Sequence, residues 1–253
     1  MGVSIVTRLM LPLRRPSAGQ ITPLKKAKPL IGFTLIELLV CIAVLGILVA
    51  LVFPAISKAR SGADQTADAA KMRNIGQAVI LFSQDHNGVF PRSWHSSGAN
   101  REPGWAQSIA PYMGASSSEI SGEWARTFNR YFRAPDDDNI DPYLYSYGFN
   151  VNFELDPNGD DYTGSPQTWR KVSQVPDPGH TILVARIQPI QFADHFMCHL
   201  WSSISAAENI VNYDVHKGQA NYLFVDGHVE TLALAETFNP SQKINRWNPS
   251  LSR

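Results

Sequence analysis

The chain has 253 residues, 44% of them hydrophobic, with 22 basic and 22 acidic side chains and no formal net charge. The balance conceals a split: residues 1–32 carry Arg8, Arg14, Arg15, Lys25, Lys26 and Lys28 without an acid, and the rest of the chain carries 16 basic and 22 acidic groups. The basic stretch is not read as a nucleic-acid arm, because Pro12, Pro16, Pro23 and Pro29 break any helix and no aromatic residues interleave, so no nucleic acid is expected as a partner.

An apolar run comes next. Between Phe33 and Ile56 the only ionisable side chains are Glu37 and Cys41, and about 20 apolar residues span a bilayer core. The run therefore reads as one membrane span. A basic flank before it stays in the cytoplasm, which makes residues 1–32 an address and exports the chain beyond the span. A cleaved secretory signal has a shorter apolar region of about 7–15 residues and a small-x-small site close behind. Here the first such triplet, Ala67-Asp68-Ala69, comes far downstream, so ordinary signal cleavage is disfavoured. A carboxylate near the centre of a span costs about 2.5 kcal/mol or more, and such acids are kept for a partner or a function. Glu37 lies near the N-terminal end, where an interfacial acid in a plain anchor is the competing reading.

The residues Gly32-Phe33-Thr34-Leu35-Ile36-Glu37, behind a lysine cluster, resemble the class III signal of type IV pilins and type II secretion pseudopilins. The resemblance implies cleavage by prepilin peptidase between Gly32 and Phe33, and N-methylation of the new Phe33 amine. It further implies an assembly role for Phe33 and Glu37, the carboxylate meeting the terminal amine as subunits dock with other pilin or pseudopilin subunits at the inner membrane. An amine and a carboxylate that meet in low dielectric attract strongly, whereas either alone is costly.

Past the span the pattern becomes periodic. Met72, Ile75, Val79 and Phe82 share a helical face, preceded by a stripe of Ala55, Ala59, Ala63, Ala67 and Ala70. Lys58, Arg60, Asp64, Asp68, Lys71 and Arg73 fall on the other positions. One helix is expected over 33–84, roughly 78 Å long at 1.5 Å per residue, kinked at Pro54. Asn87-Gly88 and Pro91 end it.

Residues 85–253 suffice for one head domain with a core. The first part is loop-rich, with helical patterns at 105–113 and 119–131 and an acidic loop at 136–141. Strands are expected at 143–152, 181–187, 219–225 and 228–234, with Tyr147, Phe149, Ile182, Val184, Leu223, Val225, Val229 and Leu232 in the core. Asp226-Gly227 reads as a two-residue type I′ hairpin turn. His216, separated by nine residues from Asp226-Gly227, and the ending Phe224-Val225-Asp226-Gly227-His228-Val229 resemble the H-x9-DG domain of prepilin-like proteins from planctomycete and verrucomicrobial bacteria. Residues 145–150 and 172–178 are similar to the middle of that family. The fold expected is α+β and pilin-like: a leader at 1–32, a transmembrane and spine helix at 33–84, and a head at 85–253 in which the helix packs on a small antiparallel sheet.

Other sites weigh less. His216, Asp226 and His228 carry metal-compatible donors, but the preferred reading makes Asp226 and Gly227 the turn and His216 a brace for the hairpin end. Asp156-Pro157-Asn158-Gly159-Asp160-Asp161 begins like a calcium loop but lacks the glycine at position six and the glutamate at position twelve, so calcium remains an analogy and no cofactor is expected. Cys198, among Phe196, Met197 and Leu200, reads as a buried structural thiol. No serine elbow, P-loop or dinucleotide fingerprint occurs. The expectation is a non-enzymatic filament subunit; the alternative is a single-pass anchored binding or metal-dependent protein.

Overall fold

A computed structural model of the chain describes residues 32–155, 169–190 and 193–252. Among the described residues the chain divides into two units, the first ending at Leu51 and the second beginning at Val52.

Helix α1, Leu35–Asp85, has Pro54 inside it. In the first unit its side chains are exposed and almost all apolar, and the helix is long and apolar enough to cross a membrane. In the second unit it becomes one-sided: Met72, Ile75, Val79 and Phe82 are buried, as their spacing requires. Gly76 sits on the same face. A Cβ there would meet Leu223 Cδ1 at 2.9 Å and Gly227 Cα at 3.6 Å, so the missing side chain is what lets the helix approach the sheet.

Four short helices come after it: α2, Trp94–Asn100; α3, Trp105–Ile109, continued by a 3-10 turn at Ala110–Met113; α4, Ser117–Gly122; and α5, Trp124–Tyr131. The expected helix at 105–113 changes form where Pro111 removes a backbone donor. The one at 119–131 is broken at Glu123, whose φ of −131° and ψ of 37° lie outside the helical region. Helix α2 carries no apolar periodicity and was not expected. It is held by two buried acids contributed from far along the chain: Glu154 accepts from Ser93 N at 2.8 Å, and Asp194 Oδ2 from Trp94 N at 3.0 Å.

The main sheet contains β1, Tyr147–Asn150; β2, Ile182–Arg186; β3, His195–Phe196; β4, Ala220–Phe224; and β5, Val229–Leu232, in the order β3-β1-β2-β4-β5. Helix α6, Ile204–Glu208, precedes β4, while α7, Leu234–Thr237, and the small pair β6, Phe238–Asn239, and β7, Ile244–Asn245, close the chain. The sheet is mixed rather than antiparallel. β1, β2, β4 and β5 pair antiparallel, but β3 runs parallel to β1. β2 ends opposite the start of β1, with Tyr147 facing Arg186, so a chain that reverses there and takes the free edge must run in the direction of β1.

β1 is shorter than the 143–152 expected because Asp137, Asn139 and Asp141 each accept from the backbone two residues on, at 3.0, 2.8 and 2.9 Å, winding the approach into successive turns. Tyr147, Phe149, Ile182, Val184, Leu223 and Val225 are buried. Val229 and Leu232 are only half-buried, since β5 is an edge strand.

Candidate functional site

The first candidate surrounds the start of α1. Thr34 is its N-cap, and the local sequence Thr34-x-x-Glu37 folds as a capping box. The Glu37 amide donates to Thr34 Oγ1 at 3.3 Å. In return Glu37 Oε2 accepts from the Thr34 amide at 2.9 Å and from its hydroxyl at 2.7 Å. One carboxylate oxygen is thus committed to the helix start. Among the described residues Oε1 accepts no hydrogen bond. Phe33 is 75% exposed, as are the apolar side chains that continue the helix. The site is therefore a solvent-facing acid one turn from Phe33, on an apolar cylinder with no partner of its own among the described residues. Position alone gives the acid; the capping box is also written in the sequence, as a threonine three residues before a glutamate.

The second candidate is the C-terminal hairpin. Asp226 and Gly227 do form its turn, but not a two-residue type I′ turn. Phe224 N donates to His228 O at 2.9 Å and Gly227 N to Phe224 O at 3.0 Å, so three residues, Val225 to Gly227, make the loop. Of the three only Gly227 has positive φ, 93°, whereas type I′ needs two such residues. The reason is tertiary: Val225 N is bonded to Thr181 O and Asp226 N to Pro178 O, which draws the turn against the entry to β2. Asp226 Oδ1 accepts from the His228 amide at 3.0 Å and lies 2.5 Å from its Nδ1.

His216 does not brace that turn. Nine residues separate it from Asp226, five of them the strand β4, which alone spans about 16 Å of extended chain. Its imidazole is buried and its Nε2 stands 3.6 Å from Oδ2 of Asp68 on α1, just beyond hydrogen-bond length. His216, Asp226 and His228 therefore do not converge. Among the described residues no group of three or more His, Cys, Asp or Glu side chains is placed to hold a metal ion. The calcium-like stretch at 156–161 lies outside the described residues.

What His216 joins is a polar cluster that sequence reading missed. Asp68 is fully buried. Its Oδ1 accepts from Tyr147 Oη on β1 at 2.7 Å and from Arg186 Nη1 on β2 at 3.2 Å, and its Oδ2 from Asn221 Nδ2 on β4 at 2.8 Å. Arg186 Nη1 also reaches Asp136 at 2.6 Å. Around this core, Asn221 Nδ2 donates to Gln65 O, Thr231 Oγ1 to Asn221 Oδ1, and Gln65 Nε2 to Thr231 Oγ1. One carboxylate on the helix is thereby bonded to three strands. Burial pushes the Asp68 carboxyl up, but His216, Arg186, Tyr147 and Asn221 outweigh it and hold it below the usual carboxylate value. Contrary to expectation, Asp68 does not share the other positions with the charged residues: Asp68, Met72, Ile75, Val79 and Phe82 are spaced four, three, four and three apart, so the acid continues the apolar stripe and is buried with it.

Cys198 is buried. Its thiol donates to Asn150 Oδ1 and receives Asn152 Nδ2, both at 3.1 Å. Burial pushes the thiol up to about 12, which leaves it protonated and unsuited to act as a nucleophile.

Compared with known proteins, the chain matches the prokaryotic N-terminal methylation motif over residues 32–53. No curated protein and no solved structure is matched by the chain. The motif covers the capped start of α1, Phe33 and Glu37 included. With a long N-terminal helix on an α+β head, the fold is pilin-like, and the motif supports a type IV pilin- or pseudopilin-like protein. A membrane-capable apolar helix beside such a motif is consistent with a single-pass inner-membrane protein.

Proposed function

We propose that this chain is a prepilin-like structural subunit, cut between Gly32 and Phe33 by prepilin peptidase and N-methylated on Phe33. In this reading the basic leader is cytoplasmic and α1 holds the protein in the inner membrane until it assembles with other pilin or pseudopilin subunits. The head stands in the periplasm or outside the cell, in a type II secretion pseudopilus or a type IV pilus. Proteins of this kind are generally structural rather than catalytic.

The observation that carries the reading is the methylation motif laid over the exposed apolar part of α1, where Glu37, the one carboxylate within residues 32–53, keeps one oxygen uncommitted among the described residues. Cleavage would create a charged amine at Phe33, and a neighbouring subunit could bring such an amine to Glu37. The pair would then form where water is scarce and the attraction strong. The finer division into leader, spine and head, and the H-x9-DG assignment of the C-terminal hairpin, belong to the same proposal. His216 and Asp226 would serve there as structural residues at the two ends of β4.

Mass spectrometry of the protein from native membranes tests the proposal. A mature chain beginning at methylated Phe33 is expected, and a chain still continuous across Gly32 and Phe33 overturns it. Glu37→Ala is expected to insert normally and to be lost from isolated filaments; equal incorporation removes the assembly role.

A further inference from the structure

A cavity of about 410 Å³ opens within the second unit against the closing strands β6 and β7, and none of its lining residues belongs to the helix start, the hairpin or the Asp68 cluster. That volume suits a small ligand. Its apolar wall is set by Trp201 and Phe238, whose rings meet edge-on at 5.4 Å between centroids. Leu251, more than half exposed, extends that wall toward solvent.

The polar side chains of that lining offer donors and include no carboxylate. Asn245 Oδ1 accepts from the Trp247 and Asn248 amides, both at 3.0 Å, which spends the oxygen and leaves the NH2 end as the free one. Asn245 Nδ2 and Trp201 Nε1 have no hydrogen-bond partner among the described residues, and neither is sealed from solvent. Ser202 adds a hydroxyl, which can donate as readily as accept. Lys243 is exposed, and among the described residues its ammonium makes no ion pair and no hydrogen bond. Its backbone has a φ of 59°, in the left-handed region that favours glycine, where it caps the 3-10 turn Pro240–Gln242 with its amide on Pro240 O. The turn thus sets a cation on the lining with no acid there to answer it.

The geometry points to a binding site for a small carboxylate with an apolar body. The body lies against Trp201, Phe238 and Leu251, and the carboxylate meets the Lys243 ammonium with the N–H groups of Asn245 and Trp201 as further donors. A neutral amide of the same shape keeps the apolar contact and forgoes the charge-assisted bond, and an amine is repelled by Lys243. The lysine, not the shape of the cavity, sets the preference. The carboxylate can belong to a free molecule or to the C-terminus of another polypeptide.

The full-length protein in detergent micelles tests this, titrated by calorimetry with phenylpropionate, phenylpropanamide and phenylpropylamine against protein-free micelles. Saturable binding of the carboxylate is expected, about fivefold tighter than the amide, with the amine weakest. Partition into detergent favours the neutral amide over the carboxylate, so this order reads the protein. Lys243→Gln should bring the carboxylate down to the affinity of the amide while the amide and the urea midpoint stay unchanged, a pattern that a merely structural lysine does not produce. No saturation by the carboxylate, an amide or amine that binds as tightly, or a folded Lys243→Gln variant that keeps the parent's preference would overturn it. An acetylated Ala-Ala-Phe peptide with a free carboxyl end forms the second arm. Tighter binding of the peptide than of phenylpropionate supports the chain end of a partner, and the reverse order supports a free ligand.

Discussion

Helix α1 carries two acids that invite comparison. Glu37 is exposed, and the only hydrogen bonds its side chain makes among the described residues are to Thr34, three residues away. Asp68 is sealed in the second unit and is held by side chains from 79 to 153 residues further along the chain. The first is inexpensive in water and costly in a membrane. The second is costly wherever it is buried, and is tolerated because every partner is in place. An acid with local partners leaves its charge available to another molecule. An acid with long-range partners commits that charge to holding the helix to the sheet.

Removing each acid in turn is the sharpest way to break the comparison. Asp68→Ala leaves Arg186 buried opposite a cavity and should destabilise the folded head by about 3–5 kcal/mol, read as the urea midpoint of the full chain in detergent. Glu37→Ala should leave that midpoint where it was, because among the described residues its side chain bonds only to Thr34. Equal losses from the two substitutions would end the distinction.

Acid titration gives a smaller effect and a test of sign. Asp68 is held below the carboxylate value of the unfolded chain, about 3.9. Its contribution is therefore present above that pH and lost as pH falls through the lower folded value. Glu154 behaves oppositely. Burial raises it, only partly offset by hydrogen bonds from Ser93 and Ser96, so its contribution is present below about 4.3 and lost as pH rises through the folded value. Between pH 5 and pH 3, Asp68→Asn should flatten the fall in the urea midpoint and Glu154→Gln should steepen it. Matching slopes in both variants would show that neither carboxyl governs the acid limb.

The smallest expected change comes from Thr34→Val, which removes the cap while retaining Glu37. Loss of an N-cap costs about 1 kcal/mol, and circular dichroism of the full chain should show fraying confined to the first turn of α1. If Thr34→Val abolished filament incorporation as fully as Glu37→Ala, the carboxylate would matter as a cap rather than as a counter-charge.

Several features could be read directly. The apolar run at 33–56, the methylation motif with Gly32, Phe33 and Glu37, the stripe from Met72 to Phe82 and the hairpin around Asp226-Gly227 are all local patterns. Each is set by residues a few positions apart, where chain geometry fixes who faces whom. The mixed sheet, the three-residue hairpin loop, α2 and the partner of His216 were not legible, because each is decided by chain brought in from elsewhere. Asp68 shows the division most plainly. Its place on the stripe was visible in the spacing, yet an acid on an apolar face reads as exposed until Tyr147, Arg186, His216 and Asn221 arrive to receive it. Sequence periodicity could say which way that side chain points. Only the tertiary structure could supply the donors that make a charge stable there, since burial without them would have forced the carboxyl to take up a proton.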